Sequence, residues 1–362
     1  MSDDAPKGAG SARKGRGATL NLQGRFERLG REAFDDGWER PDEDEPPRPK
    51  TVVTDERAKS IISRNDSPDI PFEQSINPYR GCEVGCAYCY ARPTHAYLGL
   101  SPGLDFETRI FAKVNAAELL AKELAAPGYR VSTISIGANT DPYQPAEREL
   151  RITRSVLEVL AACEHPLGIV TKNAMIERDI DLLAPMAQKN LARAFVSVTN
   201  LDNQLARRLE PRACAPLRRL AAIKRLADAG IPVGVMVAPV IPFLTDRFLE
   251  ETLERARDAG AVMAGYVVLR LPHEVAPLMR DWLAVHYPQK AEHVMNLVRQ
   301  LRGGKDYDAA FGRRQRGTGE FADLIATRFR LACRRLGFNG EREPLDTTRF
   351  RPPRTTPQLD LF

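Results

Sequence analysis

Short runs of apolar, largely β-branched residues recur through the middle of the chain, roughly every 30 residues. They fall at residues 72–77, 131–137, 167–171, 195–199, 233–237 and 266–269. None alternates strictly between apolar and polar, which is the pattern of parallel strands buried on both faces. Between them, apolar side chains three and four apart predict helices near 116–125, 153–162, 176–188, 216–229 and 246–259. Gly230 and Gly260 follow the last two, where a helix C-terminus favours glycine. Six β/α units predict an α/β barrel, closed or partial, with chemistry on the loops after the strands.

Composition sets the flanks. Residues 1–50 are rich in Gly, Pro and charge, so a mostly disordered N-terminal tail is expected, with Phe26 and Leu29 docking locally. Residues 51–70 lead into a core at 71–285. A basic helical extension follows at 286–340, with helices near 291–301 and 321–336, and then a Pro- and Arg-rich tail at 341–362. Apolar content is 43%, without a run of the roughly 18 residues a membrane span needs. The first residues lack the apolar core of a signal peptide. Six cysteines are too few for a disulfide scaffold, and half share one motif. A reducing, cytoplasmic setting with no membrane partner is expected. The net charge of +5 concentrates in part at 299–335, with ten basic residues against four acidic. That stretch reads equally as a nucleic-acid surface or a solvated helical face.

That one motif is Cys82, Cys86 and Cys89, within Arg80-Gly-Cys-Glu-Val-Gly-Cys-Ala-Tyr-Cys-Tyr90. Three soft thiolates on a tight loop favour an iron–sulfur cluster or zinc. Zinc normally wants four ligands, and His95 is the nearest candidate for the fourth. Cys163, Cys214 and Cys333 are expected to be inert thiols remote from the loop. An iron–sulfur cluster with one open iron is the favoured reading.

The spacing with an aromatic before the third cysteine resembles the signature of the radical S-adenosylmethionine (SAM) enzymes. The run Ser75-Ile-Asn-Pro-Tyr-Arg-Gly-Cys82, with Gly137-Ala-Asn-Thr-Asp-Pro-Tyr-Gln-Pro-Ala-Glu147 and Leu209-Glu-Pro-Arg212, is similar to the branch related to spore photoproduct lyase. Within it the likeness is greatest to a largely uncharacterised bacterial group sharing the Asn-Pro-Tyr-Arg-Gly-Cys block. The resemblance spans about residues 70–290. It implies a partial (β/α)6 barrel and a [4Fe–4S] cluster on Cys82, Cys86 and Cys89, with SAM on its open iron. It also implies an external one-electron reductant of the flavodoxin or ferredoxin type.

Further residues take roles from that resemblance and from their places at strand ends. Tyr88 matches a position packed near the adenine, against the alternative of an ordinary core ring. Thr140 and Asp141 would hold the SAM amino group or ribose, against a plain Asx turn. Lys172 is a point charge for the carboxylate, Ser197 is placed for ribose, and Ala238 is small enough for backbone to approach the cofactor. Glu210 and Arg212 read as an ion pair at the rim or a phosphate site, and His273 as a residue facing the cavity. One position departs from the family pattern. Ala138 stands where the photoproduct lyases carry a hydrogen-donating cysteine, so that activity is not carried over, and Tyr143 is the substitute donor considered.

The expected function is therefore radical SAM chemistry on an unidentified substrate, with DNA repair as the context the resemblance brings. The alternative is a non-catalytic iron–sulfur or zinc protein associated with nucleic acid. DNA is the expected macromolecular partner. The terminal Gln358-Leu-Asp-Leu-Phe362 resembles the peptide by which bacterial proteins grip the DNA sliding clamp.

Overall fold

The apolar run at 167–171 is a strand with those bounds in the computed structural model, which describes residues 12–27 and 49–353. Among the described residues ten strands form: β1 (Val52–Glu56), β2 (Ile62–Arg64), β3 (Gln74–Ile76), β4 (Tyr79–Arg80), β5 (Arg109–Lys113), β6 (Ile134–Ile136), β7 (Leu167–Thr171), β8 (Ala192–Ser197), β9 (Val233–Val240) and β10 (Met263–Val268). Strands β3, β6, β7, β8, β9 and β10 lie side by side in that order, all parallel. β2 runs antiparallel on the outer edge of β3. Among the described residues no pairing joins β10 back to β2, so the sheet is open.

Helices cover the outer face: Ala116–Leu124, Ile152–Ala162, Ile180–Gln188, Pro216–Asp228 and Leu249–Asp258. Each turns a stripe at three- and four-residue spacing inward, for example Val156, Leu157 and Leu160, or Leu249, Leu253 and Ala256. These pack on Ile134, Ile169, Val196 and Val235 in one apolar core. Burying a side chain of that size contributes about 1.5–3 kcal/mol.

One tyrosine registers the curvature. The Tyr90 hydroxyl donates to the carbonyl of Ala138, just beyond β6, while the Arg270 guanidinium, just beyond β10, lies 4.8 Å from its ring centroid. A flat sheet would hold those strands four spacings apart, about 19 Å. The sheet therefore rolls its strand ends around a common centre, as a partial barrel does.

A second sheet, ordered β1–β5–β4, was not expected. β1 is largely exposed and β4 has only two residues, so neither leaves an apolar signature. It pins the N-terminal side of the cysteine loop, since Tyr79 pairs with Ala112 and Arg80 with Phe111. Other strand bounds also move. The runs at 72–77 and 131–137 shorten to three residues each, those at 195–199 and 266–269 begin three residues earlier, and β9 runs on to Val240.

The C-terminal helices are Val275–His286, Pro288–Gln300 and Glu320–Leu336. Trp282, Met279 and Met295 pack in the same apolar cluster as Cys82, Cys86 and Tyr88, so the first two helices back the cysteine loop. Much of the basic charge here is internally paired: Arg299 with Asp306, Arg313 with Asp308, Arg314 with Asp69, Arg328 with Glu250, and Arg335 with Glu254. Arg302 is buried and donates to the carbonyls of Leu269 (2.6 Å), Val268, Arg313 and Arg314. The stretch ties the extension to the barrel.

Residues 12–27 also pack on the core. Gly17 and Ala18 donate their amides to the buried Glu107 carboxylate at 2.9 and 2.7 Å. Composition looks for large apolar side chains, whereas this contact is made by backbone. Phe26 stacks on Tyr97 at the surface. Leu29 and Gln358–Phe362 lie outside the described residues. Among the described residues no helix is long and apolar enough to cross a membrane.

Candidate active site

The cysteine loop is a run of tight turns. Cys89 N donates to Cys86 O at 3.2 Å, and Arg92 N to Cys89 O at 3.2 Å. Gly81 and Gly85 stand at φ of 76° and 70°, where a side chain would be strained. Cys82 N binds Phe106 O (2.8 Å), Ala87 N binds Leu209 O (2.9 Å), and Glu83 N binds Gln144 Oε1 (2.9 Å). Beneath it, Arg92 donates to Cys86 O through Nε (3.0 Å) and Nη2 (2.8 Å) and pairs with Glu107. Both charges are fully buried, so each depends on the other.

Burial pushes the Cys82 thiol well above its ordinary range and the Cys86 thiol to about 12. Cys82 feels both Cys86 and Cys89, so the three sulfurs share one electrostatic neighbourhood. Crowded thiols of this kind ionise when a soft cation compensates them, and that donor set fits an iron–sulfur cluster. His95 does not join them. Its Nε2 lies 3.0 Å from Arg109 O, its ring packs edge-on against Phe106, and burial draws its pKa down to about 4. Among the described residues no three His, Cys, Asp or Glu side chains surround a single-ion site.

The strand-end residues meet beside this loop. Asp141 N donates to Cys82 Sγ at 3.5 Å. Its carboxylate accepts from Thr171 Oγ1 (2.6 Å), Lys172 N (2.8 Å) and Tyr143 N (2.9 Å), locking the ends of β6 and β7 together. Of about four acceptor positions on a carboxylate, roughly one remains. The Asx turn is present, and it leaves capacity for a ligand. Thr140 is buried with Oγ1 3.3 Å from Tyr79 O. Ser197 ends β8, buried, with no side-chain hydrogen bond to a described residue. Ala238 lies in β9 beside a cis bond to Pro239.

Lys172 has no ion pair among the described residues. Burial alone would draw its ammonium down, but the Cys86 sulfur and Glu210 hold it above its ordinary value. Glu210 does not take the partner its sequence neighbourhood suggests. It pairs with Arg219 rather than Arg212, which binds Glu83 at 2.9 Å. Arg219 also holds Ser197 O (3.0 Å) and Cys214 O (2.6 Å), and Glu210 accepts from Tyr88 and from Thr199 (3.1 Å). Burial would raise the Glu210 carboxyl, yet Arg219 and Lys172 keep it below its usual range.

Other expectations change. Cys214 Sγ donates to Asn173 Oδ1 and accepts from Ala174 N, both at 3.3 Å, just beyond Lys172. Tyr143 is fully buried in the main core with its hydroxyl on Asp179 (3.0 Å). His273 is exposed. Arg270 also faces the cysteine loop, and a lone arginine after an apolar strand carries no motif that would have singled it out.

A model of the radical SAM superfamily matches residues 76–256. The chain belongs to the radical SAM superfamily. An uncharacterized protein of Mycobacterium tuberculosis is 39% identical over 233 residues, 64% of this chain and 68% of that one. An uncharacterized protein of Methanocaldococcus jannaschii is 27% identical over 52% of this chain and 68% of its own length. Among solved structures, spore photoproduct lyase complexed with dinucleoside spore photoproduct superposes with a TM-score of 0.59 at 19% identity, covering 79% of this chain and 80% of that one. A double mutant of that lyase with bound AdoMet and the same dinucleoside scores 0.58. The radical SAM fold of that lyase is therefore the fold of this chain.

Proposed function

We propose that this chain is a SAM-dependent radical enzyme acting on a nucleic-acid substrate. Cys82, Cys86 and Cys89 would hold a [4Fe–4S] cluster, and SAM would lie against Tyr88, Thr140, Asp141, Lys172, Ser197 and Ala238. The observation that carries this reading is the placing of three thiols on one loop beside a lysine without an ion pair among the described residues and an aspartate with about one acceptor position left. When bound and reduced by an external one-electron donor, the cofactor pair supplies cleavage of the sulfonium to methionine and a 5′-deoxyadenosyl radical.

The protein's part is to bind and orient. Lys172 offers a point charge to a carboxylate, and the remaining acceptor of Asp141 suits an ammonium group. Tyr88 is held by Glu210, so its ring presents one fixed face. The Ser197 hydroxyl is available to a ribose. Apolar packing behind the loop excludes water from that side. The nucleic-acid substrate is drawn from the shared fold with a lyase solved with a dinucleoside photoproduct. Ala138, in place of a donor thiol, argues for a different reaction outcome.

The test is anaerobic reconstitution with iron and sulfide, followed by dithionite and SAM. Release of 5′-deoxyadenosine by wild type, and loss of both cluster absorbance and release in Cys86→Ala, are expected. Intact SAM beside a full cluster would refute the enzyme reading.

A further inference from the structure

Arg270 follows β10 and faces Tyr90, the residue directly after the third motif cysteine. Its Nε is enclosed by protein yet makes no hydrogen bond. Among the described residues it has no carboxylate ion pair either. Burying a donor without an acceptor costs about 1–3 kcal/mol, so such a group calls for an explanation. The nearby acids are already engaged: Asp69 binds Arg314 at 2.6 Å and Gly312 N, and Asp308 binds Arg313 at 3.2 Å. Arg302 lies within electrostatic reach, and burial together with Arg270 draws its pKa down to about 10. The end of β10 thus carries two guanidinium groups, and the acids within electrostatic reach, Asp69 and Asp308, are each bonded to another arginine. Arg302 keeps an unbonded Nε too, but it is buried and commits both Nη groups to four backbone carbonyls, whereas Arg270 is half-buried, which leaves Arg270 as the group able to receive a ligand.

We propose that Arg270, held over Tyr90 at the mouth of the barrel, anchors a phosphate oxyanion of the substrate. The planar guanidinium offers a fork of donors that matches phosphate oxygens in pairs. The local excess of positive charge favours an anion there. Lys172, against the cysteine loop, serves the SAM carboxylate, so the two cations divide two ligands between them. The Tyr90 ring fixes the guanidinium plane from one side and so reduces the ordering cost of binding. The inference deepens the reading of a nucleic-acid substrate and rests on it for the choice of probe. The phosphate has two sources, a phosphodiester within a nucleic acid or a small phosphomonoester.

The experiment is calorimetric titration of the full-length chain with thymidylyl-3′,5′-thymidine, thymidine 5′-monophosphate and thymidine. Wild type is compared with Arg270→Gln and Arg270→Lys. Binding of these probes needs neither cluster nor SAM, so failure here is separate from failure of the radical SAM reading. Wild type is expected to bind a phosphorylated probe about tenfold more tightly than thymidine, and Arg270→Gln to lose that increment. Loss confined to the dinucleotide identifies a phosphodiester, and loss confined to the monophosphate identifies a monoester. Arg270→Lys keeps the charge without the fork, so a several-fold loss in that variant supports the proposal equally if Arg270→Gln does not fold. Equal affinity of variants and wild type for both phosphorylated probes overturns the proposal. So does a wild type that does not distinguish phosphorylated probes from thymidine. A fall in SAM affinity with phosphate binding unchanged would assign Arg270 to SAM and also overturn it.

Discussion

Tyr88, in the cysteine motif, gives its hydroxyl proton to Glu210, a residue 122 positions later that is itself locked to Arg219. The motif's aromatic ring is thus held by a buried ion pair anchored in a helix of the outer layer. Glu210→Ala would leave Arg219 buried without its counter-charge and should cost about 3–5 kcal/mol in urea unfolding. Tyr88→Phe removes one charge-assisted hydrogen bond and should cost about 1.5–3 kcal/mol. The double variant should lose less than the sum of the two, since both act on one network. Full additivity would contradict the coupling.

Asp141 holds β6 to β7 through hydrogen bonds from Thr171 and Lys172, accepts a third from Tyr143 N within its own turn, and has one acceptor position to spare. Asp141→Ala should therefore weaken two properties together. Unfolding free energy should fall by about 1–3 kcal/mol, and SAM affinity, read by calorimetry, by about tenfold. Unchanged SAM affinity in a destabilised variant would show that the carboxylate is wholly structural.

Gly17 lies against the cysteine loop so closely that a Cβ there would overlap the carbonyl of Gly85. Deleting residues 1–27 should uncover the loop. The three motif thiols of the metal-free chain should then react with a disulfide reagent at least about tenfold faster under native conditions. Gly17→Val should act in the same direction, while Gly15→Ala, which meets nothing within 4 Å but sits at φ of 77°, should affect only backbone strain. Equal thiol reactivity in the deletion variant would show that the cover is not protective.

His95 and His165 are both fully buried, and burial draws each to a pKa of about 4 from an ordinary 6.5. Between about pH 6.5 and 4 the unfolded chain takes up protons that the folded chain refuses. Stability is therefore full above pH 6.5 and falls as pH drops through that window, on the order of 3 kcal/mol per histidine. Urea unfolding at pH 7.0 and 4.5 measures it. His165→Gln should remove about half of that pH dependence while lowering stability at neutral pH, because the Tyr129 hydroxyl, 2.9 Å from its Nε2, loses one of its two partners and keeps only Gln74.

The parallel strands were legible because burial on both faces favours short runs rich in β-branched apolar residues and free of charge, as at Ile134–Ile136 and Leu167–Thr171. The cysteine loop and the strand-end positions of Asp141 and Lys172 followed from that periodicity and from the motif. The strands of the small sheet stayed hidden because β1 and β4 gain their order from pairing with β5 rather than from apolar burial. The pairing of Glu210 with Arg219, in place of Arg212, is invisible in sequence for a related reason. Arg219 sits among other basic residues of Pro216–Asp228, and only its direction in space selects it. Arg270 is harder still, since its distinguishing feature is a missing partner.

The segment around Gly17 touches residues far apart in the chain. Its amides meet Glu107, Thr19 binds Asp281, and Arg25 pairs with Glu274 at 2.7 Å. A chain made from its N-terminus exposes the cysteines long before residues 274–281 exist. The first residues synthesised are then among the last to reach their final place. Through that interval the three thiols stand on a loop without its finished cover, open to whatever metal delivery the cell provides. Gly17 meets Gly85 and Glu107 as soon as those residues exist. Thr19 and Arg25 find Asp281 and Glu274 only after the barrel's last strand and the start of the next helix are made, so the cover is fastened last.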